Sequence, residues 1–388
     1  MRYWRGYLTA GILAVLTVGL TLMAKRFSLL VDAFYPFLTR EVQTTLAAWS
    51  ATVDVTLWQV AAMLLILGVL LTVVLMVALK WNFFQWLGWV LAGASLVWLL
   101  HTGIYGLNYY ASPLSEDIHL DSYDFTLEEM EEATIYFRDK ANAMALELNR
   151  DGDANLVFAD FETLAAKAGE GFHTLTYEQS GSVFAGSLLP VKELAWADLY
   201  SSMGIMGITM PLTGEAAVNP QIPAVAMPFT MCHEMAHRMC IATEDDANFA
   251  AFLACLANED VQFQYSAYYM AYRYCYSALL NSGTGEAAAA AARIDLEVNS
   301  YLRYDLKTYD RFFSNNRNEI ATDIANAAND AYIKLSGDGN GTDSYGRVAT
   351  DLINWYIDVM IMPYVDQREE SGFDPLDKDY INGILGNN

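Results

Sequence analysis

The sequence predicts a mostly α protein: three N-terminal transmembrane helices followed by a predominantly helical domain with a small β edge. Three observations carry this expectation. Three long apolar stretches lie within the first 107 residues, each near or above the roughly 18 to 20 residues that cross a bilayer. The charge then changes abruptly. Residues 1–106 hold six Lys and Arg against three Asp and Glu, which leaves 16 basic and 43 acidic residues, a net charge of −27, for the remainder. Beyond residue 125, apolar residues recur mostly at helical spacing, and the stretch 204–213 stands out as a strand. The 388 residues therefore divide into a membrane region, 1–107, and one acidic soluble domain, 108–388.

The first apolar stretch, about 7–24, follows Arg2 and Arg5 in the manner of a signal peptide. No small-x-small cleavage site leads into a polar chain, and Lys25-Arg26 and further apolar sequence follow, so it reads as a retained span. The second, about 57–79, carries no charge and ends at Lys80-Trp81. The third, about 83–107, contains His101, which suits an interface or a bundle interior. Trp81, Trp86, Trp89 and Trp98 suit interfacial anchors. Three spans place the amino terminus and the large domain on opposite sides. Arg2, Arg5 and Lys80 nearly balance Lys25, Arg26 and Arg40, but no basic residue follows the third span until Arg138, which favours the domain outside. A domain this acidic excludes nucleic acid and anionic headgroups as partners held by charge, and leaves the lipid bilayer as a partner through the spans.

Tyr109–Phe125 is a polar connector leaving the membrane. Thr126-Leu-Glu-Glu129 is a capping box that opens an amphipathic helix to about Asn149, and a second helix is expected over Phe161–Gly169. Between them, Asp151-Gly-Asp153-Ala-Asn155 resembles a calcium loop with Glu162 in its twelfth position. Leu156 stands where the sharp turn needs glycine, so a capping loop is the better reading. Gly204–Thr213 is β-branched and bounded by Gly and Pro, as a strand should be. Such a strand could pair with an extended substrate, which makes Gly207 and Thr209 candidate substrate-binding residues. Glu215, in the turn that follows, either contacts substrate or holds the loop.

His233-Glu234-Met235-Ala236-His237 concentrates the chemistry. Positions i and i+4 share a helix face, so two of the five histidines in the chain can grip one metal ion. Glu234 is offset around the helix, close enough to take a proton from a zinc-activated water without ligating the metal. This is the zincin arrangement, with one Zn2+ as cofactor. Zincins need a third ligand. The acidic cluster Glu244-Asp245-Asp246 opens the next apolar helix, and Glu244 is preferred, with Asn248 at i+4 to orient an imidazole. The plain alternative is an acidic first turn that complements the helix dipole.

Downstream, the chain reads as almost entirely helical. Tyr265, Tyr268, Tyr269, Tyr272 and Tyr276 form an aromatic stripe of the kind that builds a core. Gly283–Gly285 breaks the pattern before an Ala-rich helix over Glu286–Leu306. Further helices are expected over Asn318–Leu335 and Ser344–Met360, joined by the loop Gly337–Gly341. Cys232 and Cys240 lie eight apart, about 12 Å along one helix, too far to pair. With Cys255 and Cys275 they lack zinc-thiolate spacing and read as small buried hydrophobes. Tyr345 and Arg347 are candidates to stabilise a developing oxyanion. Otherwise Ser344 caps the last helix, Tyr345 packs and Arg347 pairs with an acidic residue.

Several blocks in fixed order carry a resemblance: Tyr35-Pro36-Phe37, Asn108-Tyr109-Tyr110, Thr213-Gly214-Glu215, Pro228 to Glu234, Glu244 to Phe249 and Asp343 to Val348. Together they resemble an uncharacterised bacterial membrane family, domain of unknown function 3810, across most of the chain. The resemblance implies a membrane-anchored, zinc-peptidase-like protein of the bacterial cytoplasmic membrane, with no established substrate. Glu244 to Ala250 also resembles the third-ligand helix of gluzincin peptidases, which implies a gluzincin-type domain and favours Glu244 over its neighbours. Two departures stand out: Cys240 where the family tends to have glycine, and Asp246 where it usually has glutamate.

The expected activity is that of a zinc metallopeptidase hydrolysing a peptide or protein substrate, with Glu234 as base. The alternative is a non-catalytic membrane sensor or scaffold whose metal site only stabilises the fold. Three protein ligands rather than four favour the catalytic reading. An intramembrane protease fits less well, because the motif lies in acidic sequence outside the spans.

Overall fold

Four long helices open the chain in the computed structural model, which describes residues 4–178, 183–336 and 345–363. They are α1 (Arg5–Arg26), α2 (Ser28–Ser50), α3 (Leu57–Ala78) and α4 (Phe83–Ile104). Among them α1, α3 and α4, 22 residues each, are long and apolar enough to cross a membrane. Their limits match the expected spans to within a few residues, and the third ends where a 3₁₀ turn, Gly106–Tyr110, takes over. Gly6 of α1 lies against Gly88 of α4, both near the helix starts, so these two helices run parallel. The connection through α3 then requires α3 to run the other way.

The second helix has no counterpart in the sequence expectations, and its Pro36 argues against one. It forms because Val31, Thr39, Gln43, Ala47 and Ser50 recur at helical spacing and are buried. Tyr35 ties it to the end of α4 by donating to the Thr102 carbonyl at 2.8 Å.

The soluble part begins with α5 (Leu114–Asp117) and α6 (Leu127–Glu147), whose expected capping box forms in full between Thr126 and Glu129. In the following loop the Asp151 carboxylate accepts from the backbone N–H groups of Asp153 and Asn155, so it serves the turn. The seventh helix, α7 (Phe161–Glu178), outruns its expected end at Gly169. Gly171 is there for packing, since a Cβ would overlap the Ala254 carbonyl.

Next come β1 (Lys192–Glu193), α8 (Ala197–Met203), β2 (Gly207–Met210) and β3 (Glu215–Val218). The sheet order is β1-β3-β2, with β3 parallel to β1 and antiparallel to β2. Within the sheet β2 is thus an edge strand, half-buried along its length.

Helices α9 (Met227–Arg238), α10 (Glu244–Ala257) and α11 (Val261–Asn281) form the centre. The aromatic stripe of α11 is core as expected: Tyr265, Tyr269 and Tyr272 are buried. The single helix expected over Glu286–Leu306 is two, α12 (Gly285–Leu296) and α13 (Ser300–Asn316). Asn299 divides them, because its side chain accepts from the Leu302 N–H and so starts a new helix. Helices α14 (Glu319–Ser336) and α15 (Tyr345–Tyr356) follow, and α15 runs into a π turn over Ile357–Ile361. The expected loop 337–341, Ser344 and the side chain of Tyr345 lie outside the described residues.

Candidate metal centre

The sequence builds the motif helix α9 from a proline-led first turn and a run of buried residues, among them Phe229, Met231, Cys232, Met235 and Ala236. It stops at a left-handed residue, Cys240, with φ +69°. The Cys240 N–H donates to the His237 carbonyl at 2.9 Å and the Ile241 N–H to the Ala236 carbonyl at 3.1 Å, the Schellman pattern. Two residues later Thr243 caps α10 by accepting from the Asp246 N–H. This short reversal brings the first residue of α10 back over the last turn of α9.

Three side chains meet there. The Nε2 atoms of His233 and His237 are 3.1 Å apart, and Glu244 oxygens lie 3.4 Å from the first and 3.8 Å from the second. Among the described residues this is the group of metal-ligating side chains that converges, with donor atoms all within 4.8 Å of one another. His237 Nδ1 donates to the Ile241 carbonyl at 2.9 Å. A carbonyl can only accept, so in the neutral ring the lone pair belongs to Nε2 and faces the other donors.

The electrostatics match this geometry. Burial works to lower the His237 pKa, but the Glu244 and Glu234 carboxylates and the Ile241 carbonyl overcome it and hold the ring at about 9. Burial likewise opposes ionisation of Glu244, yet the two imidazoles hold its carboxyl well below the usual range. The centre therefore favours positive charge, and a cation entering it displaces a proton.

Glu234 is buried beside these side chains, and its carboxyl is pushed up by burial, against the pull of both imidazoles and of the Thr209 hydroxyl. The Thr209 hydroxyl lies 2.8 Å from Glu234 Oε2 and 2.7 Å from the Glu234 carbonyl oxygen, as donor to either. Gly207 lies under the same side chain, where an added Cβ would overlap Oε1 and Cγ. Strand β2 thus positions the candidate base. Sequence reasoning gave Gly207 and Thr209 to the substrate and missed this role, because nothing in a strand pattern names the side chain packed across it.

The profile of a family described as "Protein of unknown function (DUF3810)" matches residues 31–353. The chain belongs to this family. No curated protein and no solved structure matches it.

In this DUF3810 protein the remaining site expectations divide. Asn248 is buried but orients neither imidazole: His237 Nδ1 is taken by Ile241, and His233 Nδ1 is buried without a hydrogen-bond partner. The expectation failed because the tight reversal puts a backbone carbonyl where the i+4 argument placed an amide. Glu215 accepts from the Leu57 and Trp58 N–H groups at 2.8 Å each, the loop-holding role that the sequence offered as its alternative. Arg347 pairs with buried Asp245 at 3.0 Å, the pairing with an acidic residue that the sequence offered as the alternative. Cys240 packs with Tyr105 and Ala242, and Asp246 bonds Thr243 and the Leu114 N–H. All four cysteines are buried and free.

Proposed function

We propose that this protein is a membrane-anchored zinc metallopeptidase whose catalytic domain lies outside the bacterial cytoplasmic membrane. The observation that carries the reading is the convergence of two imidazoles and one carboxylate beside a buried glutamate. The donor set fits zinc: tetrahedral ligands at Zn–N distances near 2.0–2.1 Å stand about 3.3 Å apart, and the donors here are 3.1, 3.4 and 3.8 Å apart. His233, His237 and Glu244 would hold the ion. A zinc ion supplies Lewis acidity, which makes water nucleophilic at a pH of about 7.

The protein's own residues do the rest. Glu234 takes a proton from the attacking water and returns it to the leaving amine nitrogen. Thr209 and Gly207 fix the Glu234 carboxyl for that transfer. The outer edge of β2 offers backbone N–H and C=O groups to an extended peptide, which would add to the sheet as a further strand.

The structural-site reading needs a fourth protein ligand. Cys240 and Asp246, the two residues the sequence offers for it, are engaged elsewhere, which favours an open position for catalysis.

The test uses the whole protein in detergent or nanodiscs. Metal analysis should give one zinc per chain, lost in His233→Ala or Glu244→Ala. Glu234→Gln should keep the zinc and lose about 10²- to 10⁴-fold in cleavage of a random peptide library. Full cleavage by Glu234→Gln would remove the assigned base.

A further inference from the structure

The ligand helices do not stand clear of the membrane helices. Between His237 and Glu244 the chain turns through Cys240 and Ala242, which share a buried cluster with Tyr105, the residue immediately after α4; Ile104 packs on it. From α2, Arg40 donates to the Met239 carbonyl at 3.2 Å, on the C-terminal end of the motif helix. The centre is therefore mounted on the membrane exit of α4.

The edge strand is tied down as well. Glu215, paired across the sheet with Met210 of β2, holds the first two amides of α3. Ile208 of β2 packs in the cluster that takes in Trp58 of α3. Gln43 of α2 donates to the carbonyl of Pro211, just past the end of β2, at 3.0 Å. From Thr209, which holds Glu234, to the first turn of α3 is one residue along β2, one step across the sheet to Glu215 and one glutamate side chain. That path is on the order of 10–15 Å, or about three to five extended residues.

The remaining question is where the bilayer surface lies, and α2 answers it. One residue separates it from α1 and six separate it from α3, so both its ends sit at the same membrane face. A helix of its 23 residues, about 34 Å long, can satisfy that only by lying along the surface. Its inner face is buried against the domain, while Leu30, Phe34, Leu38 and Trp49, 60%, 63%, 59% and 63% exposed, form an opposite and mostly apolar stripe that also holds exposed Glu41 and Thr45. An apolar stripe so placed belongs in the interface.

We propose that the substrate is the membrane-proximal stretch of a polypeptide anchored in the same bilayer. This rests on the hydrolase reading above and adds where its scissile bond must lie. A strand added to β2 has one end directed at the surface marked by α2 and the start of α3, so a chain emerging from the bilayer reaches Glu234 within about three to five residues. Anchoring also converts capture into a local event at high effective concentration, which a freely diffusing peptide lacks.

Two measurements test this, both on the full chain in liposomes. The four native cysteines are buried, so an environment-sensitive dye can be placed singly by Phe34→Cys or, as a control on α12, by Leu296→Cys. The first should be blue-shifted and quenched by brominated lipid, and the second should report water. A dye at 34 that reports water overturns the proposal without touching the hydrolase reading.

In the second, a random dodecapeptide library is offered free, or joined to one apolar anchor helix through about four or about 40 Gly/Ser residues. The short tether should be cleaved about tenfold faster than either other form. Equal rates for all three overturn the membrane-proximal assignment and leave the hydrolase intact. No cleavage of any library by zinc-loaded protein overturns both.

Discussion

Two residues of β2 decide how Glu234 is held, and they do so differently. Thr209 contributes one hydrogen bond to a carboxyl already confined by burial, so Thr209→Val should reduce peptide cleavage about tenfold. Gly207→Ala puts a methyl group into Oε1 and Cγ, which forces the base off its position and should cost about 10²-fold or more. In both variants zinc content should stay at the wild-type value, because neither residue touches a ligand atom. Loss of metal in step with activity would mean that β2 supports the whole centre and not the base alone.

Near Asp245 and Asp246 of α10, Asp351 of α15 is buried and raised to about 7, first by burial, then by Asp246 and Asp245, with Arg347 opposing. The folded protein thus keeps a proton that the unfolded chain releases near pH 4. Stability should fall as pH rises from about 4 to about 7 and level off above that. Asp351→Asn removes the penalty of ionisation. Its melting temperature should match wild type near pH 3 and exceed it at pH 8, by a free energy of order 2–4 kcal/mol. Parallel pH curves for the two proteins would contradict this.

At the scale of elements, the reversal from α9 to α10 places the carboxylate over the imidazoles, and it turns on Cys240. A non-glycine residue at φ +69° costs roughly 1–2 kcal/mol, while the thiol it buries returns roughly 1 kcal/mol. Cys240→Gly should therefore change stability by less than about 1 kcal/mol. Cys240→Val, which adds β-branching to a left-handed position, should lower it by more than that and weaken zinc binding. Thermal unfolding with and without chelator reads both.

This reversal also marks what the sequence could convey. His233, Glu234 and His237 share one helix turn, and Glu244 opens the next helix, so local spacing was enough to expect that these side chains meet. The same spacing rule misassigned Asn248, since one backbone carbonyl at Ile241 took the role first. Helix α2 escaped notice because its buried face answers to residues far away in sequence, such as Pro211 and Met239, and Pro36 masked the rest. Gly169 read as the end of α7 when it is a close contact with Leu188, and Gly171, two residues on, is one with Ala254 of α10.

At the scale of the whole molecule, the acidic domain and its membrane helices are joined by a few buried polar contacts. The most demanding is Glu215, whose carboxylate meets the Leu57 and Trp58 N–H groups and Lys192 Nζ, each at 2.8 Å. Lys192 donates in turn to the carbonyls of Ser50, at the end of α2, and Val55. One strand residue therefore fastens the start of α3 and, through Lys192, the end of α2. Glu215→Ala leaves a half-buried ammonium and two helix-start amides without their anion, a loss of about 3–5 kcal/mol by comparison with other broken buried pairs. Most of that should appear as separation of parts and not as global unfolding, because the aromatic core around α11 touches none of these groups. Limited proteolysis should then cut wild type slowly and Glu215→Ala quickly within residues 51–56, while zinc content survives. If cutting is unchanged and the core melts instead, Glu215 supports the domain's own fold, and the joint to the membrane helices lies in the α2 and α4 contacts alone.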